Sequence, residues 1–545
     1  MVGGLNRGRG LIIPFSFPEI SLRLELLILS TIGLSACSGG SAAPGPGAPP
    51  APSTRGSDYE DATVRAAATI LPEDIRRHIT FLANDELAGR DTPSPGLEIA
   101  ASYLVEFMEE AGLEPAGENG TFIQRFPYTR TAMIVSSRQV AYRSGGSTRE
   151  MDYAEDYYVV PGDVTAISVE VVFGGVASRP SAGLAGMANG KVVLFTSTGN
   201  PMMGTGADLI GAFTAAAQAQ ASAVVLLLDE TQTPDTVREM ASALQGAGLV
   251  TPLVVVGMSS ESGAELLAQA GLDLAALRAS PPANALALDG ITMNVSAPYQ
   301  VSEHTPPNVV GMVRGSDPAL RDEYIVYSAH FDHVGVGIAN EAGDTIYNGA
   351  DDNASGTAAL LEAAAAFAAL DVPPARSIIF LAVSGEEKGL LGSEYYSENP
   401  TVPIERIIMN INMDMVGRNH PDTVIGIGRQ YTNLGSLTDR VLREHPDLGF
   451  TLIPDPKPEE QGFFRSDHLH FVNKDIPALF LSAGFDHEDY HQPSDEVDLI
   501  DMDKAARVSR MAFYLGALVA GGTVDPAWTE DGLAEVRQII ADNGN

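Results

Sequence analysis

The chain has 545 residues, more than one compact domain usually holds, which predicts two folded units with tails. Its 33 basic and 70 acidic residues give a formal charge of -37, and such a field repels nucleic acid and anionic lipid, so both are poor partners. The single cysteine, Cys37, excludes a disulfide framework and a cysteine-rich zinc site, so any metal site must use His, Asp and Glu.

The N-terminal segment has the pattern of an export signal. An apolar stretch at residues 24–34 follows three arginines, and it is too short to span a bilayer as a mature helix. It ends in Leu34-Ser35-Ala36-Cys37, which is similar to a bacterial lipobox, where the cysteine is lipidated and becomes the mature N-terminus. We therefore predict a lipoprotein-type signal peptide over residues 1–37 and an exported protein, lipid-anchored in the outer membrane or periplasmic in a bacterium. The alternative is a plain signal peptide with an incidental cysteine.

Folded structure is predicted to begin after a flexible tether. Residues 38–65 start with a run of Ser, Gly, Ala and Pro that contains no core-forming residue. Apolar positions at helical spacing then predict helices over residues 72–82 and 97–111, with a turn at 87–90 between them.

The pattern changes over residues 132–298, which predict a separate insert domain. Short apolar strands at 169–173, 191–195, 223–228 and 252–256 alternate with Ala/Gly-rich helices at 209–220 and 262–270. This stretch contains no histidine and no cluster of acidic residues, so we expect it to carry no chemistry of its own.

From residue 308 onward, buried strands alternate with long helices. Strands are predicted at 324–328, 377–383, 406–413 and 478–482, and helices at 355–370 and 502–519. This alternation predicts an α/β fold, with a mixed, mostly parallel sheet flanked by helices on both faces. A short tail, residues 523–545, follows the last of these helices.

Polar clusters lie just past these strands or just before a helix, and they are His330-Phe331-Asp332-His333, Asp351-Asp352, Glu386-Glu387, Asp414 and His491. Each cluster alone has a simple structural explanation, such as a hydrogen-bonded turn, an N-cap or a solvated helix start. In an open α/β sheet, however, ligands bind outside the carboxyl ends of the strands, so the clusters should converge. Converging carboxylates repel one another unless cations neutralise them, and two divalent ions would do so.

These motifs, in this order, resemble those of the M28 zinc aminopeptidases of the bacterial leucyl aminopeptidase type. The resemblance covers residues 70–130 and 305–520. The insert resembles a protease-associated (PA) domain, through its strand order and the run Thr251-Pro-Leu-Val-Val-Val256. The resemblance implies a zinc-exopeptidase fold in two parts, residues 66–131 and 299–522, around an insert at 132–298.

The family resemblance also implies a role for each motif residue. Two zinc ions, for which Co²⁺ or Mn²⁺ are possible substitutes, would be held by five side chains: His330 and Asp414 on one ion, Glu387 and His491 on the other, and Asp352 bridging both. Glu386 would be the general base, and Asp332 would orient His330. The Asp352-Asn353 peptide bond is expected to be cis.

The implied function is an aminopeptidase that hydrolyses the N-terminal bond of peptides with a free N-terminus, using a hydroxide shared by two zinc ions. A carboxypeptidase or a one-zinc glutaminyl cyclase would use the same fold, but the complete set of five ligands argues against the cyclase. A non-catalytic binding protein should have lost ligands or the base, and none is missing here. Residues 463–468 are expected to line the pocket for the first side chain, with His468 and His470 as supporting or surface residues.

Overall fold

A computed structural model describes residues 54–543, apart from 164, 198–203, 230–236, 238–239, 241–249, 459–461 and 485–486. The predicted signal peptide, including Cys37, and residues 38–53 of the predicted tether lie outside the described residues. Residues 54–65, predicted as the end of the tether, instead belong to a helix, Thr54–Ala67, in which Ala62 is buried in an apolar core. Within the described part of the chain, no helix is both long enough and apolar enough to cross a membrane.

The described strands are, in chain order, β1 (Glu114–Pro115), β2 (Ile123–Arg125), β3 (Tyr128–Met133), β4 (Gln139–Ser144), β5 (Ser147–Glu150), β6 (Tyr157–Val160), β7 (Ala166–Val176), β8 (Arg179–Pro180), β9 (Val192–Thr196), β10 (Ala223–Leu227), β11 (Val254–Met258), β12 (Leu286–Ser296), β13 (Tyr299–His304), β14 (Pro307–Val313), β15 (Tyr324–His330), β16 (Gly335–Val336), β17 (Ile346–Tyr347), β18 (Ser377–Val383), β19 (Ile407–Met413), β20 (Thr423–Ile427), β21 (Thr451–Ile453) and β22 (Ala478–Ser482).

The described α-helices are α1 (Thr54–Ala67), α2 (Pro72–Leu82), α3 (Pro95–Glu110), α4 (Leu184–Met187), α5 (Gly204–Gln218), α6 (Ser260–Gln269), α7 (Leu274–Ala279), α8 (Gly356–Ala368), α9 (Leu391–Glu398), α10 (Leu434–Glu444), α11 (His468–Val472), α12 (Met502–Ala520) and α13 (Gly532–Asn543). The predicted helix at 72–82 and the predicted strands at 377–383 and 478–482 have these bounds in the structure.

The first sheet carries the predicted polar clusters at its carboxyl edge. Its strand order is β1-β14-β18-β15-β19-β22-β20-β21, with β2 paired to β14. The four central strands, β18, β15, β19 and β22, are parallel, whereas β14 and β20 flank them antiparallel. The sheet is therefore mixed and mostly parallel at its centre, as predicted.

Both faces of this sheet are covered by helices. Successive side chains of a strand point to opposite faces, so neighbouring residues of one strand pack into different cores. On β15, Tyr327 lies in a core shared with α2, α8 and α12. Its neighbour Val326 lies in a second core with Tyr396 of α9 and Phe471 of α11. This two-sided burial explains why the central strands are almost fully apolar.

Residues 139–296 form a second sheet, in the order β5-β4-β12-β7-β9-β10-β11-β6, with β8 paired to β7. Each of its faces has an apolar core of its own. A two-stranded ribbon, β3 with β13, joins this part to the first sheet, and Met133 pairs with Tyr299 at the far end of the ribbon. The predicted boundaries of the insert domain, residues 132 and 298, lie at that end of the ribbon. That this insert is a PA domain stays a prediction.

Candidate metal centre

Neighbouring parallel strands bring the predicted residues to one edge of the first sheet. His330 is the last residue of β15, although the sequence placed it just past the strand. Glu386 and Glu387 lie in the turn after β18, and Asp414 directly follows β19. Because β15 pairs in parallel with both β18 and β19, the three strand ends lie side by side.

The first predicted ligand group consists of His330, Asp414 and Asp352. The Nε2 atom of His330 lies 3.3 Å from Asp414 Oδ1 and 3.3 Å from Asp352 Oδ1. Two ligands on one tetrahedral zinc ion, each bound at about 2.0–2.2 Å, are separated by roughly 3.3–3.5 Å. The spacing of these three buried side chains therefore suits a single ion.

The second predicted group consists of His491, Glu387 and the other oxygen of Asp352. The Nε2 atom of His491 lies 3.0 Å from Asp352 Oδ2 and 3.2 Å from Glu387 Oε2. Asp352 thus presents one carboxylate oxygen to each group, which is the arrangement of a bridging ligand. All five predicted ligands lie in one cluster, and the ion that each would hold stays a prediction.

His333 also belongs to this cluster, and it was quoted in the sequence motif without a role. Its Nδ1 atom lies 2.7 Å from Glu387 Oε1 and 3.8 Å from Asp352 Oδ2, and the ring is fully buried. Donor atoms of His333, Asp352 and Glu387 lie close enough to hold an ion, as do those of His330, Glu386 and Asp414. The sequence signal for His333 was its position three residues after His330, just past the end of β15.

Glu386 and Asp332 lie beside the cluster. Glu386 has a carboxylate oxygen within 4.8 Å of the donor atoms of His330 and Asp414. The Nδ1 atom of His330 is 3.3 Å from the backbone carbonyl oxygen of Asp332 and 3.7 Å from its carboxylate. That carboxylate also accepts hydrogen bonds from the Glu386 N–H and from Thr92, so Asp332 contacts the turn that carries the predicted base, and its role in orienting His330 stays a prediction.

Residues 308–516 match the sequence profile of Peptidase family M28. This part of the chain is a peptidase family M28 domain. Among curated relatives, the aminopeptidase YwaD of Bacillus subtilis is 34% identical over 37% of this chain and 42% of its own length. A glutamate carboxypeptidase 2 homologue of Caenorhabditis elegans is 33% identical over 40% of this chain and 30% of its own. The chain spans about half or less of the length of such relatives.

A solved structure shares the fold over most of the chain. The aminopeptidase from Aneurinibacillus sp. strain AM-1 superposes with a TM-score of 0.57 at 22% identity. The match covers 83% of this chain and 95% of that one, so it extends well beyond the M28 domain. It places the two-sheet architecture in a fold already seen among aminopeptidases.

The buried carboxylates of the cluster in the M28 domain outnumber its nearby positive charges, which suits the binding of cations. Burial raises the pKa of Glu386 well above its ordinary value, and Glu387 and Asp414 add to that rise. Burial would lower the pKa values of His330 and His491, but the facing carboxylates hold both well above the ordinary range. The same carboxylates that face these histidines would be neutralised by bound cations.

A series of buried side-chain hydrogen bonds leads from Asp414 into the sheet. Ser466 donates from Oγ to Asp414 Oδ2 at 2.8 Å, and Asn412 donates to Ser466 Oγ at 2.7 Å. Ser328 donates to Asn412 Oδ1 at 2.6 Å, and Asn410 donates to Ser328 Oγ at 2.9 Å. Ser466 belongs to the segment 463–468 that was predicted to line a pocket. The other three residues had no predicted role, and their signal was a polar residue inside an otherwise apolar strand.

Asp495 supports Asp352 in the same way and was also missed. Its carboxylate accepts the backbone N–H groups of Asp351 and Asp352 at 3.0 Å. Burial and the nearby Asp351 raise the pKa of Asp495 to about 6. The Asp352-Asn353 peptide bond is cis, as expected from the resemblance.

Residues 463–468, predicted to line a pocket, lie partly in the core of the M28 domain. The ring of His468 is fully buried between Phe463 and Phe480, with ring centroids 5.3 and 5.0 Å away. Burial lowers the pKa of His468 to about 3, so it is a neutral core residue and not a surface one. Arg465 reaches the site instead, because it donates to the hydroxyl of Tyr490, whose ring stacks on His491.

Proposed function

We propose that the protein is a metal-dependent aminopeptidase that uses two zinc ions to hydrolyse the N-terminal bond of peptides. The observation that carries the proposal is Asp352, whose two oxygens face His330 on one side and His491 on the other. The donor set is nitrogen and oxygen only, which suits zinc, cobalt or manganese. The M28 domain and the relative named as an aminopeptidase support the reaction class.

When bound, two zinc ions would activate a shared water and polarise the scissile carbonyl group. Glu386 lies beside His330 and Asp414 without being a predicted ligand, so its carboxylate is free to accept the proton of the attacking water. The same carboxyl group then donates that proton to the leaving amine. Burial and neighbouring carboxylates raise its pKa, which makes the protonated form a stable carrier between the two steps.

The charge of the four carboxylates does not by itself choose between the two ends of a peptide. Two zinc ions would neutralise Asp352, Glu386, Glu387 and Asp414. The curated relatives include an aminopeptidase and a carboxypeptidase homologue, so the two activities must be separated by a substrate test.

A substrate screen with paired end groups tests the proposal. Amino-acid p-nitroanilides with free and acetylated N-termini would be compared with N-blocked dipeptides that carry a free C-terminus. We expect turnover of the free-amine substrates only, and about two zinc ions per chain after mild dialysis. Equal turnover of acetylated substrates, or cleavage of the blocked dipeptides alone, would contradict the aminopeptidase. One ion per chain with activity retained would contradict the two-metal site.

We also propose that Cys37 is acylated and anchors the exported protein to a membrane. The support is the sequence alone, an apolar run that ends in Leu34-Ser35-Ala36-Cys37. Labelled palmitate should enter the wild-type protein and not the Cys37→Ala variant. An unlabelled wild-type protein would contradict the lipid anchor.

A further inference from the structure

A segment outside the M28 match packs against the candidate site. Arg90 is fully buried and donates to the backbone carbonyl oxygens of Phe331, Asn348 and Gly349, and of Leu82 in α2. Phe331 lies between His330 and Asp332, and Gly349 lies three residues before Asp352. One guanidinium group thus ties together the two segments that carry His330 and Asp352.

The backbone of this segment adopts a conformation that L-residues rarely take. Ala88, Gly89 and Arg90 have φ values of 47°, 67° and 50°. A Cβ on Gly89 would lie 2.5 Å from the carbonyl oxygens of Gly335 and Tyr347. Non-glycine residues in the left-handed region cost free energy and persist where the surrounding structure holds them, often at functional sites.

Thr92 connects the same segment to the predicted base. Its Oγ1 donates to Asp332 Oδ2 at 2.9 Å and accepts the N–H of Gly385 at 3.1 Å. The other oxygen of Asp332 accepts the N–H of Glu386 at 3.3 Å. Thr92 and Asp332 are both fully buried. A single hydroxyl therefore links the loop after β15, which carries Asp332, to the turn after β18, which carries Glu386 and Glu387.

We propose that Thr92 is a positioning residue, whose hydroxyl sets the turn of Glu386 and Glu387 relative to His330. The inference rests on the proposed function, because it assigns Thr92 a role toward the base and the metal ligands of that site. A displacement of about 1 Å in a catalytic group costs up to about 100-fold in rate. Outer partners of metal ligands contribute about 10- to 100-fold in metal affinity.

Three substitutions separate the hydroxyl from the methyl group of Thr92. Thr92→Val keeps the shape and removes the hydroxyl, Thr92→Ser keeps the hydroxyl and removes the methyl, and Thr92→Ala removes both. The readouts are kcat and KM on a free-amine p-nitroanilide, the zinc affinity measured against a competing chelator, and the melting temperature of the full-length protein.

We expect Thr92→Val to lower kcat about 10-fold with KM little changed, and to weaken zinc binding about 10-fold. Thr92→Ser should stay within about 2-fold of wild type in both measurements. If Thr92→Val does not fold, Thr92→Ala takes its place against the same Ser control. Wild-type kcat and zinc affinity in the hydroxyl-free variant would overturn the proposal, and so would equal losses in the Ser variant.

The zinc measurement keeps this inference separate from the aminopeptidase itself. If wild type cleaves none of the substrates but Thr92→Val still binds zinc more weakly than Thr92→Ser, the proposed function fails and the positioning of the metal ligands stands. If wild type is active and the variants differ only in melting temperature, the proposed function stands and Thr92 is merely structural.

Discussion

At the scale of single residues, Glu386 and Glu387 are adjacent in sequence but have opposite electrostatic surroundings. Burial would raise the pKa of Glu387, yet His491 and His333 hold it well below the ordinary value. Glu386 faces Asp414 and Asp467 in addition to His330, and its pKa is raised. The group with the lowered pKa stays ionised and suits a metal ligand, whereas the group with the raised pKa suits proton transfer.

Glu386→Gln and Glu387→Gln should therefore fail in different ways. Glu386→Gln should keep both metal ions and lower kcat by about 10² to 10⁴, with KM little changed, since the loss falls on proton transfer. Glu387→Gln should lower metal occupancy first, and excess zinc should partly restore its activity. Metal analysis and steady-state kinetics on both variants check this. Exchanged phenotypes would mean that the roles of the pair are reversed.

Asp467 gives a pH-dependent prediction for the metal-free protein. Burial raises the pKa of Asp467 to about 7, and His330 only partly offsets this rise. Between pH 4 and pH 7 the unfolded chain loses this proton while the folded protein keeps it, so the group costs stability increasingly as the pH rises. Asn cannot ionise, so Asp467→Asn should gain about 2–4 kcal/mol over wild type between pH 4 and pH 8.

Urea unfolding of the chelator-treated protein at several pH values measures this difference. Ser509→Ala is a useful control, because it removes a buried hydrogen bond to the carbonyl oxygen of Ala359 and involves no titrating group. A constant difference between Asp467→Asn and wild type over this pH range would contradict the prediction.

At the scale of elements, α12 lies against the central strand β15 through a close contact. A Cβ on Gly516 would lie 1.8 Å from the hydroxyl oxygen of Tyr327. That hydroxyl donates to the carbonyl oxygen of Ala512 in the same helix at 2.8 Å. The glycine lets the helix approach β15, the strand whose last residue is His330. This packing therefore helps to position the first predicted ligand.

Gly516→Ala should destabilise the protein by about 1–3 kcal/mol, because the added methyl group overfills the contact. Tyr327→Phe removes the hydroxyl and should relieve part of that strain, so the double variant should be more stable than the sum of the single effects. Denaturant unfolding of all four proteins measures the coupling. Gly186→Ala is the matched control, since a Cβ there meets nothing within 4 Å. Additive effects would contradict the contact.

At the scale of the whole molecule, the described residues connect the second sheet to the rest of the protein through the β3–β13 ribbon and through Ile338. Arg130 on the ribbon pairs with Asp91 at 3.0 Å, and Asp91 also pairs with Lys388 at 2.8 Å. Lys388 directly follows Glu387 in the turn after β18. Ile338, near the β16–β17 pair, packs against one core of the second sheet. The ribbon is therefore linked, through Asp91 and Lys388, to the turn that carries Glu387. The strands of the second sheet lie between β3 and β13 in the sequence.

Excision of residues 134–298 should leave a folded protein with activity on small chromogenic substrates. Met133 pairs with Tyr299, so a short Gly/Ser turn can close the ribbon and keep Arg130 in place. A second excision of residues 126–305, which removes the ribbon as well, is the control and should lose more activity. Activity assays and melting curves on both check this. Failure of the first variant to fold would show that the second sheet is needed for the stability of the first.

The sequence alone predicted the bounds of those elements whose pattern of apolar residues is regular. The strands at 377–383 and 478–482 are apolar on both faces, and the helix at 72–82 has one apolar stripe, so local pattern suffices to place them. The sequence also predicted five metal ligands, including Asp352, from the order of the motifs, and the structure brings these side chains together in one cluster, while their role as ligands stays a prediction. His333 was visible in the same motif but had no pattern that assigned its partner.

Only the tertiary structure decided which distant residues support the site. Arg90 and Thr92 lie more than 230 residues before Phe331 and Asp332, which they contact, and the sequence predicted only a turn at 87–90 in this region. Asp495 and the chain from Asn410 to Ser466 act through hydrogen bonds that exist only after the sheet has formed. Helical and strand periodicity report burial along one segment, whereas hydrogen bonds between segments depend on the packing of the whole chain.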